Sequence, residues 1–159
     1  VAPDQTLWQA RTNLGGDTLT AEPAAVYAAP TTVVTWQATA AMVELLLAPK
    51  ETGAPYRVAQ VNLRQPEEEV AERDLPLSTG AWKDEPVEHW LLSTRYREDA
   101  PVGAVAAGRI WVARPGGETW ENVGEISKES HAVSMWPVAV GGFTISWFDP
   151  AEGYRFLSR

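Results

Sequence analysis

What most constrains this chain is its punctuation. Twelve glycines and twelve prolines are spread along all 159 residues and cut them into short runs of β-branched, aliphatic and aromatic residues. Short extended runs between Gly and Pro turns predict an all-β fold, here an antiparallel β-sandwich of jelly-roll type. A mass of 17.4 kDa suits a single domain over residues 1–159, and a folded monomer of that size buries roughly 17,000 Å² of its extended surface. There is no cysteine, so disulfide scaffolds, thiol nucleophiles and cysteine-ligated metals are excluded and stability has to come from packing.

The runs place the strands. Thr6 to Thr12 leads into the turn Leu14-Gly15-Gly16-Asp17, Ala25 to Ala28 makes a short strand before Pro30, and Thr31 to Gln37 alternates. Met42 to Leu47 is apolar without alternation, the pattern of a strand buried on both faces, although Ala38 to Leu47 also has good helical propensity. Tyr56 to Leu63 and Val87 to Arg97 alternate again, the latter putting Trp90, Leu92, Thr94 and Tyr96 opposite Leu91, Ser93, Arg95 and Arg97. Gly108 to Ala113, Ala132 to Val140 and Phe143 to Phe148 complete the set, and the glycine pairs 15–16, 116–117 and 141–142 read as hairpin turns. Between strands lies a polar excursion, Gln65 to Pro86. It holds one short helix over Pro66 to Arg73, because proline suits a first helical turn and Glu67, Glu68 and Glu69 suit its dipole. No repeat of fixed period stands out, which disfavours solenoids and propeller blades.

The residues needed for catalysis are sparse. Only His89 and His131 could serve as a base, and Ser130 beside His131 points to the opposite face of an extended strand. Two distant histidines give no metal-ligand spacing, and no Asp-rich calcium loop or phosphate-cradling glycine motif occurs. Among 21 acidic residues, Glu44 alone sits inside an apolar run; it would be perturbed if it pointed inward, and ordinary on the solvent face of an edge strand. The expectation is a protein that is not an enzyme and has neither metal nor cofactor. A formal charge of -8, with three lysines beside ten arginines, argues against a nucleic-acid partner. The longest apolar stretch, Ala38 to Ala48, is about half of a membrane span. A chain opening Val1-Ala2-Pro3 is expected to have lost an initiator methionine or a longer leader.

Eight tryptophans stand out. Trp36, Trp90, Trp111, Trp136 and Trp147 fall in strands among aliphatic residues and are expected to fill core or a subunit contact. Trp82 and Trp120 fall in polar loops, Gly80-Ala81-Trp82-Lys83-Asp84 and Gly117 to Asn122, where an exposed ring marks a contact surface for protein or ligand. The opposing reading has those two rings folded back over the end of the sandwich.

Two stretches carry a resemblance. Thr18-Leu19 through Ala25 to Trp36, with its Tyr27 and Pro30, followed by the strand ending at Leu47, resembles the opening of small virion β-sandwiches of bacteriophages. Pro101 to Ala113, with Val123-Gly124-Glu125-Ile126, is similar to their late strand pair, in which an Ala-Gly turn launches a buried strand. The resemblance covers about half of the chain and implies a structural subunit of a virus particle (coat, decoration or tail component). Its partners would be copies of itself and other virion proteins, and its location the virion. On that reading Arg95, Arg97, Arg155 and Arg159 meet a partner's carboxylates, and Phe156 helps dock the tail Tyr154 to Arg159 on a neighbour, or else the tail forms a last strand of the home sheet. The alternative is a secreted, extracellular carbohydrate-binding module using Trp82 and Trp120, with a host-surface glycan as ligand.

Overall fold

The computed structural model describes residues 5–15, 18–39, 41–78, 81–82, 85–92, 100–138 and 142–159. Among them thirteen strands follow one another, each paired antiparallel with a neighbour in sequence. β1 (Thr6–Gly15) and β2 (Thr18–Ala28) form a hairpin. β3 (Val33–Ala38), β4 (Met42–Leu47), β5 (Arg57–Asn62) and β6 (Ala71–Asp74) form a four-stranded meander. β7 (Val87–Leu91), β8 (Val102–Ala106), β9 (Arg109–Ala113) and β10 (Glu121–Glu125) form a second, and β11 (His131–Pro137), β12 (Phe143–Asp149) and β13 (Gly153–Ser158) a three-stranded one.

The sheets stack face to face in chain order, and alternation along each strand decides what lies between them. Met42–Leu47 is continuously apolar because β4 sits in an inner layer: Val43, Leu45 and Leu47 pack toward Leu7 and Val26 of the hairpin, while Leu46 joins Val58, Val102, Ala104 and Trp111 on the other side. The β7–β10 sheet is also covered twice. Its second face sets Leu91, Val105, Ile110 and Val112 against Met135, Phe143, Ile145 and Leu157. Fully burying one such aliphatic side chain stabilises by about 1.5–3 kcal/mol, so the three clusters hold the layers together.

Each first strand, β3, β7 and β11, carries one extra residue relative to its second strand, between Val33 and Thr35, Val87 and His89, and His131 and Ser134. β7 and β11 touch directly, and all three first strands line one cavity. On the far side, the Tyr27 hydroxyl of β2 donates to Glu72 of β6 at 2.6 Å, and Glu72 also pairs with Arg57. Burial first, then the hydrogen bond and charge of Glu72, hold the Tyr27 phenol well above its ordinary pKa, with Arg57 pulling the other way.

The all-β antiparallel class read from the sequence is what the chain adopts. Jelly-roll crossovers do not appear among the described residues: in each sheet the strands run in chain order, as one hairpin and three meanders, and the sheets pack face to face. The expected helix at 66–73 is replaced by a turn, Glu68 N–H donating to Gln65 C=O at 3.1 Å, and by edge strand β6. The acidic run offers no apolar stripe for a helix to bury, whereas flanking Val70 and Leu75 pack onto the sheets once the segment extends. The Ala-Gly turn between β8 and β9 is present, with Ala107 and Gly108 both at positive φ (55° and 68°), as a twisted two-residue hairpin requires.

Candidate functional site

Of the two readings of the loop tryptophans, the structure shows the one with the rings folded inside. Trp82 and Trp120 are 5% and 8% exposed. With Trp90, Trp111 and Tyr56 they form an aromatic cluster between the two four-stranded sheets, Trp82 lying edge-on to Trp120 at 4.8 Å and Tyr56 tilted over Trp90 at 4.7 Å. The Trp120 indole N–H donates to Pro76 C=O at 2.8 Å, so its polar handle is satisfied inside the protein. Both rings lie in the gap between the sheets, and neither offers an exposed contact surface. Trp147 is buried as expected.

Trp36 and Trp136, expected to fill core or a subunit contact, are exposed. With Trp90 they edge a cavity of about 220 Å³ formed where β3, β7 and β11 converge. The same opening is lined by Thr35, Gln37 and Ser134, and no charged side chain is among the described residues that line it. Each of the three strands is an edge strand of its sheet, so unpaired backbone amides and carbonyls also belong to this side of the molecule. A signal for this grouping existed in the sequence: Trp36, Trp90 and Trp136 are roughly fifty residues apart, the spacing of repeated four-stranded units.

A second candidate is the outer face of the last sheet. Cross-strand register puts Trp136, Thr144 and Ser158 in one row, Ser134, Ser146 and Phe156 in the next, and His131, Phe148 and Tyr154 in the third. Phe148 contacts both His131 and Tyr154, with ring centroids at 5.0 Å and 5.2 Å. Among the described residues no layer covers this face: Tyr154 is 71% and Phe156 68% exposed. Trp8 is likewise exposed at the opposite end of the stack, while Leu7 beside it is buried against the β3–β6 sheet.

The expected contact residues divide. Phe156 lies on the open face, whereas Arg155 alternates to the other face, opposite Trp147, in an exposed ion pair with Glu152 at 3.1 Å; Arg159 is exposed and its backbone pairs with Phe143. The tail thus forms the last strand of the home sheet while presenting its aromatic side outward. Arg95 and Arg97 lie outside the described residues. Glu44 points between layers rather than to solvent, because β4 is an inner strand, and accepts a hydrogen bond from Gln60 Nε2 at 3.1 Å. His89 and His131 are both exposed. Among the described residues no group of three or more His, Cys, Asp and Glu side chains converges as a metal site would, and no helix is long and apolar enough to cross a membrane. Comparison with family models, curated proteins and solved structures found no match to this chain.

Proposed function

We propose that the protein is a structural, non-catalytic subunit that works by stacking its end sheets against copies of itself, the mode of action expected of a virion component. One observation carries the reading: the outer face of β11–β13 holds Trp136, Phe148, Tyr154 and Phe156 with no layer of the described residues over it, whereas each four-stranded sheet has an apolar cluster on both faces, with Trp36 left uncovered at the β3 edge. The contact is head to tail, the open face of the last sheet of one copy meeting the Trp8 side of the hairpin of the next. Such a contact continues the sheet-on-sheet packing already used three times within the chain, and a heterologous contact closes a ring or runs on as a filament. The convergence of β3, β7 and β11 on one cavity favours closure, and two copies supply eight layers, within the roughly four to eight blades of closed propellers. Surface area agrees. The chain exposes 9401 Å², about 1,500 Å² more than a compact monomer of this mass, roughly twice the 800 Å² one partner gives to a standard interface, as a chain with two contact faces requires.

The test is size-exclusion chromatography with light scattering over a wide concentration range. The expected outcome is a dimer or larger closed species, driven toward monomer by a Tyr154→Ser/Phe156→Ser double variant that keeps its fold. A strict monomer at high protein concentration overturns the proposal.

A further inference from the structure

The free edges of the sheets are not alike. An unpaired strand edge is a template for any passing strand, and proteins blunt it with bulges, prolines, charge or brevity. Of the edge strands bordering the three larger sheets, β3, β7, β10 and β11 each carry an extra residue relative to the strand they pair with, and β6 is only four residues long. β13 is the exception: its six residues, Gly153–Ser158, pair with β12 in unbroken register and include neither proline nor lysine. Which of its groups face outward follows from that pairing. Phe143 and Arg159 exchange both backbone hydrogen bonds, so by antiparallel alternation residues 157, 155 and 153 bond to β12 in turn. The N–H and C=O of Tyr154, Phe156 and Ser158 therefore point to the open side.

Beside that edge lies a groove of about 700 Å³, bounded by β13 from Tyr154 to Arg159, by Gly124 and Glu125 of β10 and by Trp147. These residues and their neighbours in the chain are all among the described ones. A slot for one five-residue strand between two layers measures roughly 800 Å³, from strand rise, strand spacing and sheet spacing. The place is the one a fourth strand takes: β5 and β9, the third strands of the two longer meanders, are flanked by β6 and β10, whereas β13 has no such neighbour among the described residues. The side chains choose the occupant. Residues of an added strand opposite Leu157 and Arg155 share their face, the one turned to the β7–β10 sheet, where Leu157 packs with Val123 and Ile126. Directly across a sheet Leu157 is matched by an apolar residue and Arg155 by a carboxylate. A second copy's β13 contains no acidic residue, so in no register does it answer Arg155. We infer that the free edge of β13 is a docking site for an extended segment of another protein, which adds antiparallel as a fourth strand with an apolar residue opposite Leu157 and an acidic one opposite Arg155.

The inference is independent of stacking between end sheets. It is read on the Tyr154→Ser/Phe156→Ser variant, which disables the stacking face and leaves the backbone edge intact, so failure of one proposal does not mimic failure of the other. The probe is the capped peptide acetyl-Gly-Thr-Ile-Val-Glu-Thr-Gly-amide, whose isoleucine and glutamate fall opposite Leu157 and Arg155 on antiparallel pairing. In amide NMR spectra, titration of the peptide is expected to protect the amides of residues 154, 156 and 158 from exchange, while those of residues 155 and 157, already bonded to β12, hold. N-methylation of the peptide at its valine, which removes a hydrogen bond to position 156, should weaken binding about tenfold. N-methylation at its glutamate, whose amide points away from β13, should leave affinity nearly unchanged. Arg155→Glu should weaken the probe about two- to fivefold, and a peptide with lysine in place of glutamate should recover the loss. No protection at millimolar peptide, equal losses from the two N-methylations, or indifference to Arg155→Glu would each overturn the inference. So would protection of these three amides in the parent chain alone that disappears on dilution, since the edge would then belong to a second copy.

Discussion

Trp120 separates the two readings of the loop tryptophans in a single measurement. An exposed contact residue costs almost nothing to remove, since surface substitutions usually change stability by no more than about 0.5 kcal/mol. In the structure, however, Trp120 is buried against Trp82 and Trp90 and donates its indole N–H to Pro76 C=O. Trp120→Ala therefore empties a ring-sized volume between the sheets, which costs about 3–5 kcal/mol in well-packed cores. Trp120→Phe keeps most of the packing but deprives the Pro76 carbonyl of its donor, a loss of about 1–3 kcal/mol. Urea unfolding followed by circular dichroism measures both. For a chain of this length Trp120→Ala should lower the thermal midpoint by roughly 6–20 °C, with the phenylalanine variant between it and the parent. If Trp120→Ala unfolds within about 0.5 kcal/mol of the parent, the ring is not in the core and the account of the aromatic cluster is wrong.

Two further outcomes follow from local geometry. The Tyr27 phenol has a folded pKa above its unfolded value of 10.0, so its contribution to stability is fully present below pH 10 and is lost as pH rises through the folded pKa; the slope is at most about 1.4 kcal/mol per pH unit, reduced because the residue is only half-buried. Tyr27→Phe should flatten that alkaline loss in urea titrations at successive pH values, and an unchanged slope would remove Tyr27 as its source. A methyl group on Gly142 would stand 2.5 Å from the Arg159 carbonyl oxygen and 2.7 Å from Val138 Cγ2. Gly142→Ala should therefore destabilise by about 1–3 kcal/mol through overpacking, with faster amide exchange at Phe143 and Arg159, and a neutral effect on both readouts would show that the contact relaxes freely.

Much of the fold was legible because burial writes itself into the residue pattern. Met42–Leu47 could be read as a strand covered on both sides from its unbroken apolar run, and the Ala107-Gly108 turn from its dipeptide. The rest depended on layer order, which no single run records. Glu67 to Glu69 satisfied every local rule for a helix start, yet the segment had no partner for a helical stripe and β5 had an open edge, so tertiary pairing prevailed. The tryptophans failed for the same reason. A loop tryptophan reads as exposed only when the loop itself is the surface, and Trp82 and Trp120 instead lie in the gap between two sheets, so both became core. The repeat was present but masked by unequal loops: Leu7-Trp8-Gln9-Ala10-Arg11 and Ile110-Trp111-Val112-Ala113-Arg114 are each followed by Gly-Gly, an acidic residue and Thr.

That internal match also explains why the two ends of the stack are bare. In β9, Ile110 packs toward the following sheet and Trp111 toward the preceding one. In β1, the matching Leu7 packs toward the following sheet, and Trp8 faces the side where a preceding sheet would lie. The hairpin is thus equivalent to the third and fourth strands of a meander, and its ties run to the outer half of the next sheet, from Gln9 to the Leu63 carbonyl and from Tyr27 to Glu72. The inner half of that sheet keeps Trp36 uncovered. At the other end β13 holds the third-strand position, and its Phe156 faces outward as Ile110 of β9 faces its following sheet. The exposed aromatics at both ends therefore occupy interlayer positions that no layer of the described residues covers. A single physical rule, that a β-sheet with an apolar face needs a second surface against it, accounts for the three buried interfaces and for the demand at the two open ones.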